Sequence, residues 1–185
     1  MKKAILVLSV LGVMILQSGC ATSPGSSLMA PKGNEEKMVA TGSQFDELAS
    51  HSSNYVGQEK LLAGAIVSID QTDEGYLVLA QWLPYPATQA EQGPQASESS
   101  GNRHFLIRFV GKREREFYTV RGNKFLLEGK VEGTKKALVN LFGSKKELLA
   151  VNAKCVHIWE TGEANVSSSA ASEYSPTRKR TVCAD

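Results

Sequence analysis

Between Lys124 and Val131 the side chains alternate with a period of two: Phe125, Leu127, Gly129 and Val131 against Lys124, Leu126, Glu128 and Lys130. A helix would space its apolar residues three and four apart, so this pattern commits the segment to a strand with one face on a core. Short apolar runs of the same kind continue from Tyr55 to Trp159. Leu61 to Ile69 and Tyr76 to Leu83 read as a hairpin around Asp70-Gln71-Thr72-Asp73-Glu74-Gly75, closed off by Pro84 and Pro86. Phe105, Ile107 and Phe109 alternate with Leu106, Arg108 and Val110 in a third strand. Ala137 to Phe142 and Leu148 to Trp159 complete the set, with Gly143-Ser144-Lys145-Lys146 as the turn between them. Ser144 and Glu147 have capping-box spacing, but the Val, Cys, Ile and Trp that follow favour a strand.

Six short strands without a long helix predict an all-β domain. A small antiparallel barrel is preferred to a sandwich because closure removes exposed edges. One short helix is expected over Thr41 to Ser50, capped by Ser43, with Phe45, Leu48 and Ala49 as its apolar face. Ala87 to Asn102 and Gly162 to Asp185 carry too little apolar surface to order themselves. They read as a mobile loop at 87–102 and a disordered, Ser-rich, basic tail at 162–185. The domain itself then covers 43–161.

The N-terminus is built differently. Lys2 and Lys3 precede an uncharged stretch from Ala4 to Leu16, which ends in Gln17-Ser18-Gly19-Cys20. This charged, apolar, small-residue order is that of a secretory signal peptide, residues 1–19. The apolar run is shorter than the ~20 residues that cross a bilayer. Gly19-Cys20 resembles a lipobox, although Gln17 stands where that pattern usually has Leu. Cys20 is thus the expected lipidation site, and residues 20–42, rich in Ser, Gly, Pro, Lys and Glu, a lipidated flexible tether. Each buried methylene contributes ~0.8 kcal/mol, so a triacylated cysteine, carrying palmitate-like chains, would hold the membrane without any help from the polypeptide. The other reading is an ordinary signal peptide followed by a chance cysteine.

Loss of residues 1–19 removes Lys2 and Lys3 from the 21 basic residues and leaves the 19 acidic ones, so the mature chain is neutral. That argues against nucleic acid, which needs many uncompensated Lys and Arg. Cys155 and Cys183 remain after Cys20. In an oxidising envelope they form a disulfide, or Cys155 is a buried free thiol and Cys183 dangles; sequence says nothing of their distance.

No catalytic constellation is legible. His51, His104 and His157 sit in no recognisable signature, and no Gly-x-Ser-x-Gly elbow raises a serine. Cys155 and His157 share a strand face but are two ligands short of a zinc site, so no metal or other cofactor is expected. Asp70, Asp73, Glu74, Glu114 and Glu116 read as solvated loop charges rather than a glycosidase pair. Trp82 and Tyr85 offer either a ligand-stacking face or ordinary core and rim packing. Lys112, Arg113, Arg115, Lys135, Lys136, Lys145, Lys146 and the Arg178-Lys179-Arg180 run lie between or beyond strands. They are candidates for contact with lipopolysaccharide phosphates or anionic lipid, or are simply solvated faces.

Taken in order, these pieces resemble the Slp family, the starvation-inducible outer-membrane lipoproteins. The likeness runs from about Phe45 to Trp159. It is carried by Phe45 in its short helix, Tyr55-Val56-Gly57-Gln58, Ala63-Gly64-Ala65-Ile66, Arg108, Gly129-Lys130-Val131-Glu132-Gly133 and Val156-His157-Ile158-Trp159, all behind a lipobox. Gly111 to Glu116 replaces a Phe-Leu-Asp-Pro type turn of the family, and the tail is Ser-rich and basic instead of aromatic. The resemblance implies an OB-like barrel and an outer-membrane, periplasm-facing lipid anchor, and it brings no assigned activity. Ala21 agrees, because an Asp after the cysteine is what retains such proteins in the inner membrane. The expected role is structural or interactive and non-enzymatic, with lipopolysaccharide, peptidoglycan or envelope proteins as possible partners and no nucleic acid. A binding module for a glycan or anionic polymer is the alternative.

Overall fold

The computed structural model describes residues 38–110, 120–139, 143, 145–162 and 178–183. The signal peptide, Cys20 and most of the tether, with Lys112, Arg113 and Arg115, lie outside them. The described chain runs α1 (Gly42–Ser50), β1 (Glu59–Thr72), β2 (Gly75–Trp82), β3 (His104–Val110), β4 (Lys124–Leu138), β5 (Lys145–Trp159) and β6 (Lys179–Cys183). Single turns of 3-10 helix occupy Ser52–Tyr55, Ala87–Gln92 and Glu98–Ser100.

The strands make a closed, barrel-like ring. β1 pairs with β2 and β4, β2 with β3, and β4 with β5, all antiparallel. The last join is parallel: Phe105 to Arg108 of β3 run beside Leu149 to Asn152 of β5. Five strands in this order, with one parallel closure, match the expected OB-like barrel, though not a purely antiparallel one. β3 pairs with only the first half of β5, and β6 takes the edge left open along Cys155 to Trp159.

Closure needs bent strands, and the chain bends at bulges. The register slips between Ile66 and Ser68 in β1, and between Glu128 and Gly129 and again between Val131 and Gly133 where β4 meets β5. At Gly129 a Cβ would stand 2.4 Å from Val151 Cγ1, so only glycine lets the two strands approach there. These slips also account for a difference from the sequence reading. Residues 124–131 and 137–138 belong to one strand, because a bulge breaks the alternation without breaking the ladder. Lys145 and Lys146, expected in the turn, are the first residues of β5.

Inward residues fill the ring: Leu62, Val78, Phe105, Ile107, Phe125, Leu127, Val151 and Ile158 are all essentially inaccessible. The helix stoppers one end. Phe45 lies edge-on to Phe105 at 5.6 Å and against Trp82 at 6.0 Å, and Leu48 is buried with it. The cap of α1 is Thr41 and not Ser43. The Thr41 hydroxyl accepts from the Gln44 amide at 3.4 Å while Gln44 Oε1 accepts from the Thr41 amide at 2.8 Å, and Ser43 has no glutamine or glutamate placed to return such a bond.

Two segments read as unstructured are packed where they are described. Residues 87–102 form two short helical turns with Gly93, Pro94 and Ser100 buried. Trp159 Nε1 donates to the Glu91 carbonyl at 3.1 Å, and Gly93 lies flat on that indole. The segment supplies little apolar surface itself; the surface it covers is that of Trp159, which is buried with Ala63 and Leu126 on the outside of the ring. In the tail, Lys179–Cys183 is a strand rather than disordered chain, while 163–177 lie outside the described residues.

Candidate functional site

The inside of the ring is packed with apolar side chains where it is described. A void of about 10 Å³ lies there, lined by Ile66, Val78, Ile107, Phe125 and other apolar side chains. That is barely the space of a single water and offers it no polar partner.

Of the two readings offered for Trp82 and Tyr85, core and rim packing is what the structure shows, and it does not bring the two together. Trp82 is 2% exposed beneath α1, its Nε1 donating to the Ala40 carbonyl at 3.2 Å. The Arg103 guanidinium lies 5.4 Å from the Trp82 ring centroid and grips Asp46 with two hydrogen bonds of 2.7 and 2.8 Å. Tyr85 lies elsewhere, half-buried against Trp159 at 6.2 Å, its phenol pushed above the ordinary value by burial and by Glu91. The helix closes over Trp82 because Phe45, Leu48 and the indole together form the stopper of the ring.

The histidines are not gathered. His51 faces Glu47 on the helix surface, and His104 Nδ1 is 3.0 Å from the Asn102 carbonyl. His157 is buried on the outer face of β5, its Nδ1 2.7 Å from Thr181 Oγ1 and its ring edge-on to Trp159 at 4.4 Å. Its Nε2 meets no partner among the described residues. Burial, seconded by the Lys179 charge, lowers its pKa against the opposing pull of Glu91. Beside it Cys155 is joined to Cys183, so the Cys-x-His pair presents no thiol to a metal. Among the described residues no three His, Cys, Asp or Glu side chains come together as a metal site.

Two surface features went unread in the sequence. Arg108 and Glu132, far apart in the chain, meet outside the ring with Arg108 Nε at 3.1 Å from both carboxylate oxygens, and Glu74 joins them at 3.4 Å. Burial would raise the Glu132 carboxyl, but the Arg108 hydrogen bonds and charge, with Lys135 behind them, hold it below the usual range. The second is an open groove of about 380 Å³ between residues 38–40, α1 and the start of β1, floored by Leu48 and Leu61 and rimmed by Gln44, Glu47 and Lys60. It exists because Val39 makes a parallel bridge to Leu61, a tertiary contact no local pattern announces.

The basic candidates separate into two sets. Lys179 is paired with Glu91, and Arg180 with Glu160 at 3.1 Å. Lys135, paired with Glu132 at 3.3 Å, lies with Lys136, Lys145 and Lys146 at the end of the β4–β5 ladder where the chain passes from β4 to β5.

Comparison with protein families matches residues 18–183 to the outer membrane lipoprotein Slp family. The chain belongs to that family. The match is longer than the likeness read from residues 45–159: in this Slp-family chain it takes in Cys20 at one end and Cys183 at the other. No curated protein and no solved structure matches the chain.

Proposed function

We propose that this outer-membrane lipoprotein is held by lipid on Cys20, faces the periplasm, and serves as a non-enzymatic structural or interaction domain whose working parts are its outer surfaces. The observation that carries this reading is the filled ring, in which a void of only about 10 Å³ lies among apolar side chains. An OB-like domain that binds through a concave face needs exposed aromatics there, and Trp82 is spent on the core. The glycan-binding alternative loses its stacking face by the same fact.

Metabolic labelling with palmitate tests the anchor: the wild type takes label and Cys20→Ala does not, and equal labelling of the two would end the idea. Protease added to intact cells and to cells with a permeabilised outer membrane tests orientation, with degradation expected only in the second. Hydrolysis of an envelope polymer that persists through extensive purification would overturn the non-enzymatic role.

A further inference from the structure

The end of the ring where the N-terminal segment enters gathers lysines and, among the described residues, most of the exposed large apolar side chains. Val39 pairs in parallel with Leu61, so the chain before it runs toward the beginning of β1 at Glu59. Glu59 is opposite Lys130, and β4 continues past that point to Leu138 with β5 alongside. Thr134 is opposite Leu149, the first residue of β5 that pairs with β3, so Lys135–Leu138 and Lys145–Leu148 extend past the ring, about 13 Å at ~3.3 Å per residue, at the same end at which Met38 leaves. Met38, Val56, Val110 and Leu138 are the exposed large apolar side chains among the described residues. Three of them are at this end: Met38 at the entry, Val56 packed toward Gly133, and Leu138 in the ladder itself. Val110 alone sits at the other end, opposite Gly75.

Around Leu138 the ladder is basic. Lys145 is directly across from Leu138, Lys146 across from Ala137, and Lys136 two residues back on the Leu138 face. All are exposed, as is Lys135. Two acids lie among them: Glu147 faces Lys136, and Glu132, gripped by Arg108, also pairs with Lys135 at 3.3 Å, while Lys145 and Lys146 face Leu138 and Ala137. An apolar side chain set among lysines is the composition that settles on a charged lipid interface, with the ammonium groups on phosphates and the apolar tip among the headgroups.

We propose that this end of the β4–β5 ladder, Lys135, Lys136, Leu138, Lys145 and Lys146, docks the domain on the anionic phospholipid headgroups of the leaflet that holds its anchor. The inference rests on the anchoring reading above. Cys20 cannot lie more than about 65 Å from Met38, at no more than ~3.6 Å per extended residue. The headgroups are thus always at high local concentration, and a patch of few charges suffices. The domain lies with its entry end down and presents the β1–β2 turn and Val110 to the periplasm.

The test uses the full mature chain carrying Cys20→Ser, which has no acyl group, sedimented with vesicles of phosphatidylglycerol or of phosphatidylcholine and with lipopolysaccharide aggregates. Binding to phosphatidylglycerol that weakens with salt, and little to phosphatidylcholine, is expected. Lys136→Gln, Lys145→Gln and Lys146→Gln each lower it about fivefold, and together on the order of a hundredfold. These side chains are exposed, so the thermal midpoint stays where it was. Leu138→Ser weakens binding without changing its salt dependence. Equal binding to both phospholipids, binding to lipopolysaccharide alone, no binding at low salt, or a triple variant that binds like wild type would each overturn the proposal. Palmitate labelling of Cys20 is read separately, so the anchor and the patch can fail independently.

Discussion

Cys155 and Cys183 face each other across β5 and β6 with their Cα atoms 3.9 Å apart, and a disulfide joins them. The bond fastens a five-residue strand, itself too short and too exposed to hold by packing, to the edge of the ring that β3 leaves open.

Reduction, or Cys183→Ser, should therefore destabilise the domain by about 2–4 kcal/mol, the usual effect of opening a loop of this size. Denaturant titrations with and without reductant check this. A midpoint unmoved by reductant would mean that β6 contributes nothing to the cooperative unit.

His157 stands opposite Thr181 of β6, and its stability effect follows from the direction of its shift. Its folded pKa is below that of the unfolded chain, ~6.5, so the unfolded state takes the proton first. The contribution is complete above that value and is lost as pH falls through it toward the folded pKa. Urea midpoints measured from pH 7.5 to pH 5 should decline in the wild type and decline less in His157→Gln.

Gly93 has φ +68° and lies against the Trp159 indole, where an added Cβ would stand 2.7 Å from Cδ2. Gly93→Ala should lift residues 87–102 from the ring at a cost of about 1–3 kcal/mol. Limited proteolysis would then cut within that segment faster than in the wild type. Gly101→Ala, whose nearest neighbour is the end of the Arg103 side chain at 3.7 Å, should leave the indole contact intact.

Phe45 closes the ring over Trp82 and Phe105. Phe45→Ala should cost about 3–5 kcal/mol and admit water to Trp82. A red shift of tryptophan emission with a lowered thermal midpoint is the expected signature, and Phe45→Leu should show both in milder form.

The strands with clean alternation were legible from sequence alone. Phe105, Ile107 and Phe109 do point inward, as do Phe125, Leu127 and Val131. Phe45 and Leu48 could be read as the buried face of a helix because their spacing is helical. β6 could not be read, since Lys179-Arg180-Thr181-Val182-Cys183 has no apolar face of its own and is a strand only through β5 and the disulfide. The packing of 87–102 was hidden for a related reason: the apolar surface that orders it is an indole more than fifty residues away. Trp82 carried no local sign of which side α1 would close.

What the sequence determined by itself is therefore whatever depends on near neighbours: a signal-like N-terminus ending at Cys20, a tether, and short strands that must bury one face. The tertiary structure decided what depends on distant ones. It chose the parallel seam of β3 with β5, the burial of Trp82, the join of Cys155 to Cys183, and the gathering of Met38, Val56, Leu138 and the ladder lysines at one end. Period-two patterning records that a side chain is covered, but the same pattern is satisfied by any partner surface, so only the closed ring could say which residues do the covering.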